Sequence, residues 1–331
     1  LLVISNGHGE DLISLRILEA LHILYPKIVI EVLPLVGEGK VFEQAIEDGW
    51  IKKIGPIFKL PSGGVSNQSW SGLIADISAG LLSHTIQQWL FIRGLSRNEK
   101  SIIAIGDLFP LFLAWSSKCN FAFIGTPKSD YSWRSGPGQS LSDYYHQLKG
   151  SEWDPWEYAL MKSPACKFVA ARDQLTARGL TRKGINALSP GNPMMDSLSK
   201  EVCPSFLDSY RRLILLCGTR IPEALNNFRR LMSAIESVNQ TKPIAILIPL
   251  GAEPKAKRIE LLLKQLGYKE KLNPRNNIKA NSTWVKNSRI IFLGQGKFSN
   301  WANWGEIGIA NAGTATEQLT GLGVPALSLP G

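Results

Sequence analysis

Gly313-Thr314-Ala315-Thr316-Glu317 places a glycine, two hydroxyls and a carboxylate directly after an apolar run at 307–310. Where a strand turns into a helix, the first amide N–H groups have no partner within the helix, and the peptide dipoles favour negative charge there. Small residues let a ligand come close to the backbone, so this junction predicts a phosphate site. Glu317 is spaced to accept hydrogen bonds from ribose hydroxyls beside that phosphate. Gly321-Leu322-Gly323 then closes the helix, and a second apolar strand follows at 326–329. Strand, helix and strand make a βαβ unit with a right-handed crossover. Together these residues predict a nucleotide-sugar site. The plainer alternative is a capped helix in an α/β core, with Thr316 and Glu317 serving only its first turn.

Further candidates lie at other strand ends. Gly218-Thr219-Arg220 follows the apolar run 212–217. Ligands of such folds bind beyond the carboxyl ends of strands, so this turn and Gly313 can face one ligand. Arg220 would offset diphosphate charge with a planar fork that holds two oxygens, or it is a surface arginine in a turn. Gln295-Gly296-Lys297-Phe298 follows another strand, with Phe298 placed to pack on a base; Trp301 and Trp304 are expected in the core. Gly7-His8-Gly9-Glu10 forms the first βα turn. Gly7 and Gly9 would let that loop approach a sugar, His8 could act as base or orient a donor, and Glu10 could bind a hydroxyl. If it is only a tight turn opening a helix, Asp11 is a favourable charge near the helix start. Asp107, after the apolar run 101–105, is the other base candidate, able to take a proton from an attacking hydroxyl unless it is a helix N-cap.

The elements that must position these residues alternate along the chain. Strands are expected at 1–5, 28–33, 101–105, 121–124 and 167–170, with a helix over 11–24 ended by Pro26. Such alternation predicts a doubly wound sheet. Ser189-Pro190-Gly191-Asn192-Pro193 breaks the pattern, and an interdomain crossover is expected between it and Pro204. The pattern restarts with a strand at 212–217, a helix over 222–238 and strands at 244–248 and 289–293.

At 331 residues the chain can hold two such domains, and 44% hydrophobic with 19% charged residues is ordinary for a globular protein. A net charge of +10 calls for an anionic partner: nucleic acid, a membrane surface or a small molecule. There is no zinc-finger spacing, no aromatic RNA-binding signature and no long basic run, which puts nucleic acid last. Cys119, Cys166, Cys203 and Cys217 are scattered without metal spacing and read as reduced thiols in a cytoplasmic protein. No apolar run is long enough to span a bilayer, and no signal peptide is expected before the first strand. An apolar stripe over 70–95, with Trp89 and Arg93 and with Arg97 beyond, would lie in a bilayer interface or cover a sheet.

The run at 313–317 resembles the donor motif of GT-B glycosyltransferases. The likeness to lipid-A-disaccharide synthases and their related proteins extends in order over Ser5-Asn6-Gly7-His8-Gly9-Glu10-Asp11, Gly191-Asn192-Pro193-Met194-Met195-Asp196 and Cys217-Gly218-Thr219-Arg220. The resemblance implies an α/β fold of GT-B type, two Rossmann-like domains facing across a cleft. Residues 1–197 would form the acceptor domain and 205–331 the donor domain, the latter incomplete and continuing into further helices. Asp107, His8 and Glu10 would be catalytic. Gly218, Thr219, Arg220, Phe298, Gly313, Thr314, Ala315, Thr316 and Glu317 would bind donor, and Gly7, Gly9 and Asn192 would line the acceptor cleft. A hexosamine-type sugar would pass from a UDP-sugar to a lipid-linked acceptor, with no cofactor and no metal. The protein would be cytoplasmic and peripheral on the anionic inner face of the plasma membrane, with no nucleic-acid partner. The loop 126–134 departs from the synthase pattern. A UDP-sugar epimerase on the same fold and a non-catalytic nucleotide-sugar or lipid binder are the alternatives. A nicotinamide dehydrogenase is disfavoured, because the first turn lacks Gly-x-Gly-x-x-Gly.

Overall fold

The computed structural model describes residues 1–57, 81–95, 100–131, 141–196, 198, 201–238, 242–271 and 278–328, apart from the side chains of His8, Leu81, Leu82, Ser142 and Asp143. The chain divides into two compact units, Leu1–Pro193 and Met194–Gly331.

The first unit is built on strands β1 (Leu2–Ser5), β2 (Ile30–Pro34), β3 (Ile51–Lys53), β4 (Ile102–Gly106), β5 (Phe121–Gly125), β6 (Cys166–Ala171) and β7 (Ala187–Leu188). Among the described residues they form one parallel sheet in the order β3-β2-β1-β4-β5-β6-β7. Parallel strands need crossovers that cover both faces, which is why the central strands β1, β4 and β5 carry no charged residue. The chain runs outward from β1 to β3, then returns to lay β4 against the other side of β1. That reversal is a topological switch point, where ligands of open α/β sheets bind.

The first helix corrects the sequence reading, which put a turn at 7–9 and the helix start at 11. It runs His8–Leu24. Gly7 at φ 137° makes the turn alone, in a backbone region that a Cβ would strain, and its carbonyl already accepts from Asp11 N at 2.7 Å. Helix Leu81–Arg93 lays Trp89, Phe91 and the buried Ile92 on the sheet's core, and Gln88 donates to the Leu35 carbonyl at 2.8 Å. Trp89 and Ile92 of the apolar stripe therefore cover the sheet, while Ile86 and Leu90 are exposed; residues 70–80 and Arg97 lie outside the described residues. No helix among them is long and apolar enough to cross a membrane.

The second unit carries β8 (Arg211–Leu216), β9 (Ile244–Leu250), β10 (Lys269–Glu270), β11 (Ser282–Lys286), β12 (Arg289–Gln295), β13 (Ile307–Ala310) and β14 (Ala326–Leu327) in the order β10-β11-β12-β9-β8-β13-β14. β10, β11 and β12 pair antiparallel and the rest parallel. Along β8, Leu213 and Leu215 face one apolar cluster while Ile214 and Leu216 face another, so helices are needed on both sides. Here the reversal falls between β8 and β13.

Candidate functional site

In the second unit the two strands at the switch point end side by side. Leu216 is in register with Ala310, and Asn311 N donates to the Leu216 carbonyl at 2.8 Å. The turn after β8 and the helix Gly313–Gly321 after β13 are thereby neighbours. Gly218 sits at φ 90°, and a Cβ built on it would lie 3.1 Å from the Asn311 carbonyl oxygen. Close approach of two backbones explains the glycine.

Helix Gly313–Gly321 starts without a side-chain cap, since its N-cap is Ala312. Gly313 is exposed, and a Cβ there would meet nothing within 4 Å. The first N–H groups therefore open outward, where an anion is stabilised by both the donors and the dipole. Thr316 Oγ is turned back and donates to the Ala312 carbonyl. Thr314, Ala315 and Glu317 are half-buried, and Ala315 packs on the core below. Thr219 and Arg220 are exposed, and Thr219 Cγ2 would lie 3.1 Å from a Cβ on Gly251, the residue after β9. The helix itself is pressed against β13 because Gly308 has no side chain to hold Leu319 away, and a Cβ on Gly321 would lie 2.7 Å from Met195 Cε.

One residue the sequence reading treated only as part of a segment, Gln295, ties neighbouring strand ends together. Its side chain donates to the Gly251 carbonyl and accepts from Ala256 N at 3.2 Å, while its N donates to Asn281 Oδ1 at 2.6 Å. Phe298, expected against a base, is half-buried and packs on the apolar cluster that holds Trp301 and Trp304. Those two tryptophans stack at 6.5 Å inside the core, as expected.

In the first unit the same logic gathers the other candidates. Asn6-Gly7 follows β1, and Gly106 ends β4 with Asp107 after it, on either side of the switch point. A Cβ on Gly106 would lie 2.9 Å from Asn6 Cβ and 3.6 Å from Glu10 Cγ, so the two turns touch. Glu10 Oε1 accepts from Thr126 Oγ1 at 3.1 Å, and Thr126 N donates to the Gly106 carbonyl at 3.2 Å. Arg172 Nη1 reaches the Thr126 carbonyl at 3.3 Å. Thr126 and Arg172 were not singled out from sequence, because their partners are distant along the chain. Asp107 is the N-cap of helix Leu108–Ser117, its Oδ1 accepting from Phe109 N at 3.0 Å. Gly9 lies in the first helical turn, with Glu10, and the His8 side chain lies outside the described residues. Asn192 lies at the far end of the unit, after β7, and is half-buried.

Beyond β5 the chain is fixed by buried charge. Glu157, fully buried, accepts from Lys128 Nζ and from Asp154 N at 2.8 Å, and Lys128 also lies 3.5 Å from Asp154 and 5.3 Å from the Trp153 ring centre. Asp130 is buried too, accepting from Ser151 Oγ and Glu152 N, both at 2.9 Å. Of the loop 126–134, residues 132–134 lie outside the described residues. Among the described residues no group of three or more His, Cys, Asp or Glu side chains could hold a metal ion.

No protein-family model matches the chain, and no curated protein matches it. Solved structures do. Arabidopsis thaliana UGT89C1 superposes over 99% of this chain and 78% of its own, at 12% identity and a TM-score of 0.55. S. aureus MnaA, solved with UDP, covers 99% and 79% at 14% identity and 0.53. A UDP-N-acetylglucosamine 2-epimerase covers 99% and 78% at 14% identity and 0.50. At such identities the likeness speaks to architecture, and the architecture of this chain is the GT-B fold, two Rossmann-like α/β domains in series.

Proposed function

We propose that the protein is a UDP-sugar enzyme of glycosyltransferase type, which moves a hexosamine-type sugar to a lipid-linked acceptor. The observation that carries this reading is the uncapped, outward-opening start of helix Gly313–Gly321 beside the Gly218 turn. Negative charge grows on the diphosphate as the anomeric C–O bond breaks, and fixed N–H donors stabilise that charge without reorganising. Arg220, exposed in the neighbouring turn, adds a cation that can reach the leaving group. The UDP bound to the structurally similar S. aureus MnaA supports the choice of nucleotide. Gly7, Gly9 and Glu10 would hold sugar or acceptor hydroxyls in the first unit, with Asp107 or His8 taking the proton.

A lipid-linked acceptor and peripheral membrane contact are supported by two features. The net charge is +10. The packed helices Leu81–Arg93 and Leu108–Ser117 leave Ile86, Leu90, Leu108, Phe112 and Trp115 between 38% and 57% exposed.

A second reading, a UDP-sugar epimerase, is favoured by the likeness to a UDP-N-acetylglucosamine 2-epimerase. Product analysis with UDP-N-acetylglucosamine, with and without a lipid monosaccharide, separates the two readings. Glycosylated lipid with stoichiometric UDP supports transfer; an epimerised UDP-sugar formed without acceptor supports epimerisation. Binding of UDP-sugar with neither product would leave a non-catalytic binder.

A further inference from the structure

The first turn of helix His8–Leu24 contains an acid that the proposed reaction does not use. Asp11 has no exposed surface. Its Oδ1 accepts from Ser5 Oγ at 2.5 Å, and Ser5 is itself 1% exposed. Its Oδ2 is buried without a hydrogen-bond partner, and so is Oδ1 of Asn6, the residue after Ser5. An ionised carboxylate there would leave a charged oxygen unsolvated, which costs far more than a neutral group in the same place. A proton on Oδ2 removes the charge and makes that oxygen's group a donor.

Among the described residues, which leave out the side chain of His8 on the same helix turn, the charges around Asp11 do not offset this. Its own helix brings Glu10, a like charge. Strands β1 and β4, which pack on the helix, carry no charged side chain. The short turn Lys40–Phe42 also packs on it, but Lys40 is 65% exposed and paired with Glu38 at 3.5 Å. Burial accordingly pushes the Asp11 carboxyl up to about 7; the Ser5 hydrogen bond acts against the rise and the Glu10 charge adds to it.

We propose that Asp11 is a positioning residue whose protonated form keeps Asn6, Gly7 and Glu10 in the arrangement that the first unit's chemistry requires. The proposal rests on the reading that this turn serves a UDP-sugar reaction. Ionisation would set a second negative charge beside Glu10 and strand it in the packed interior, loosening the turn.

The folded carboxyl is raised, so between about 4 and about 7 the folded chain keeps a proton that the unfolded chain has released. Its contribution to stability therefore falls as pH rises through that window and is level above it. The experiment measures Tm from pH 4 to 9 for the wild type, Asp11→Asn and Ser5→Ala. Asp11→Asn should gain on the wild type steadily up to about pH 7 and then run parallel to it. Ser5→Ala, lacking the bond that opposes the rise, should move the wild-type midpoint to higher pH, and it decides the matter if Asp11→Asn does not fold. Parallel curves for all variants that fold would overturn the neutral acid.

UDP release from UDP-N-acetylglucosamine, with lipid acceptor present, supplies the second readout. Wild-type kcat should fall about tenfold per pH unit above about 7 with KM little changed, while Asp11→Asn shows no such fall. A shared pH profile would overturn the positioning role even where the Tm curves diverge. No UDP release by the wild type at any pH would remove the proposed reaction and the positioning role with it, while the Tm curves still decide the proton.

Discussion

A methyl group placed on Gly218 would sit 3.1 Å from the carbonyl oxygen of Asn311. Two turns from strands far apart in the chain thus approach backbone to backbone at the reversal of the second sheet. Gly218→Ala meets both that contact and a left-handed φ of 90°. It should cost about 1–3 kcal/mol of stability and weaken UDP binding about tenfold. Urea denaturation and calorimetric titration with UDP check the two effects, and unchanged UDP affinity would separate this turn from the nucleotide.

Gly313→Asp tests the helix start directly. The Cβ enters open space, and a carboxylate in the first turn should stabilise the helix by roughly 0.3–1 kcal/mol. The same charge should repel a diphosphate, so Tm rises while UDP affinity falls by an order of magnitude or more. Stability and binding moving in the same direction would count against phosphate at this helix.

Asp107 holds a structural post whatever its chemistry. Asp107→Asn keeps a capping oxygen for Phe109 N and should leave Tm nearly unchanged, whereas Asp107→Ala should cost about 1 kcal/mol. If Asp107 is the base, turnover drops about a hundredfold or more in both variants. Turnover that tracks Tm instead would confine Asp107 to capping.

The Lys128–Glu157 pair should be among the costliest to break. Lys128→Met strands a carboxylate that is 1% exposed and should cost about 3 kcal/mol. Glu157→Gln keeps the bond from Asp154 N and leaves Lys128 within reach of Asp154, so its cost should be smaller. Denaturant midpoints measure both, and a double Lys128→Met, Glu157→Gln variant should recover part of the loss.

Membrane contact is checked by flotation with anionic liposomes. Binding is expected at low salt and should weaken as screening shortens the reach of the charges. Phe112→Ser with Trp115→Ser should reduce it further.

The fold class was legible because β1, β4, β5, β9 and the last four residues of β8 are largely apolar runs without a charge, a pattern that parallel sheets buried on both faces impose. β11 was not, since Ser282-Thr283-Trp284-Val285-Lys286 owes its place to antiparallel pairing with β12 rather than to its own hydrophobicity. The candidate turns stood out because glycine, hydroxyl and charge cluster at strand ends. Their partners did not: Thr126 meets Glu10 across 116 positions, and nothing local marks it. Asp11 looked like a helix-start charge, and the fold alone reveals that it is enclosed. Residues 7–9 were misjudged because one residue, Gly7, does the work assigned to three.

Gly308 has no reactive group, yet it lets Leu319 seat the helix Gly313–Gly321 flat on β13. The direction in which that helix's amides aim is consequently encoded at a position remote from any ligand atom. A larger residue at 308 would meet Leu319 Cδ2 first, so the leucine would have to turn aside or the helix would have to shift. Selection for nucleotide recognition would then constrain the middle of a strand as tightly as the turn beyond it.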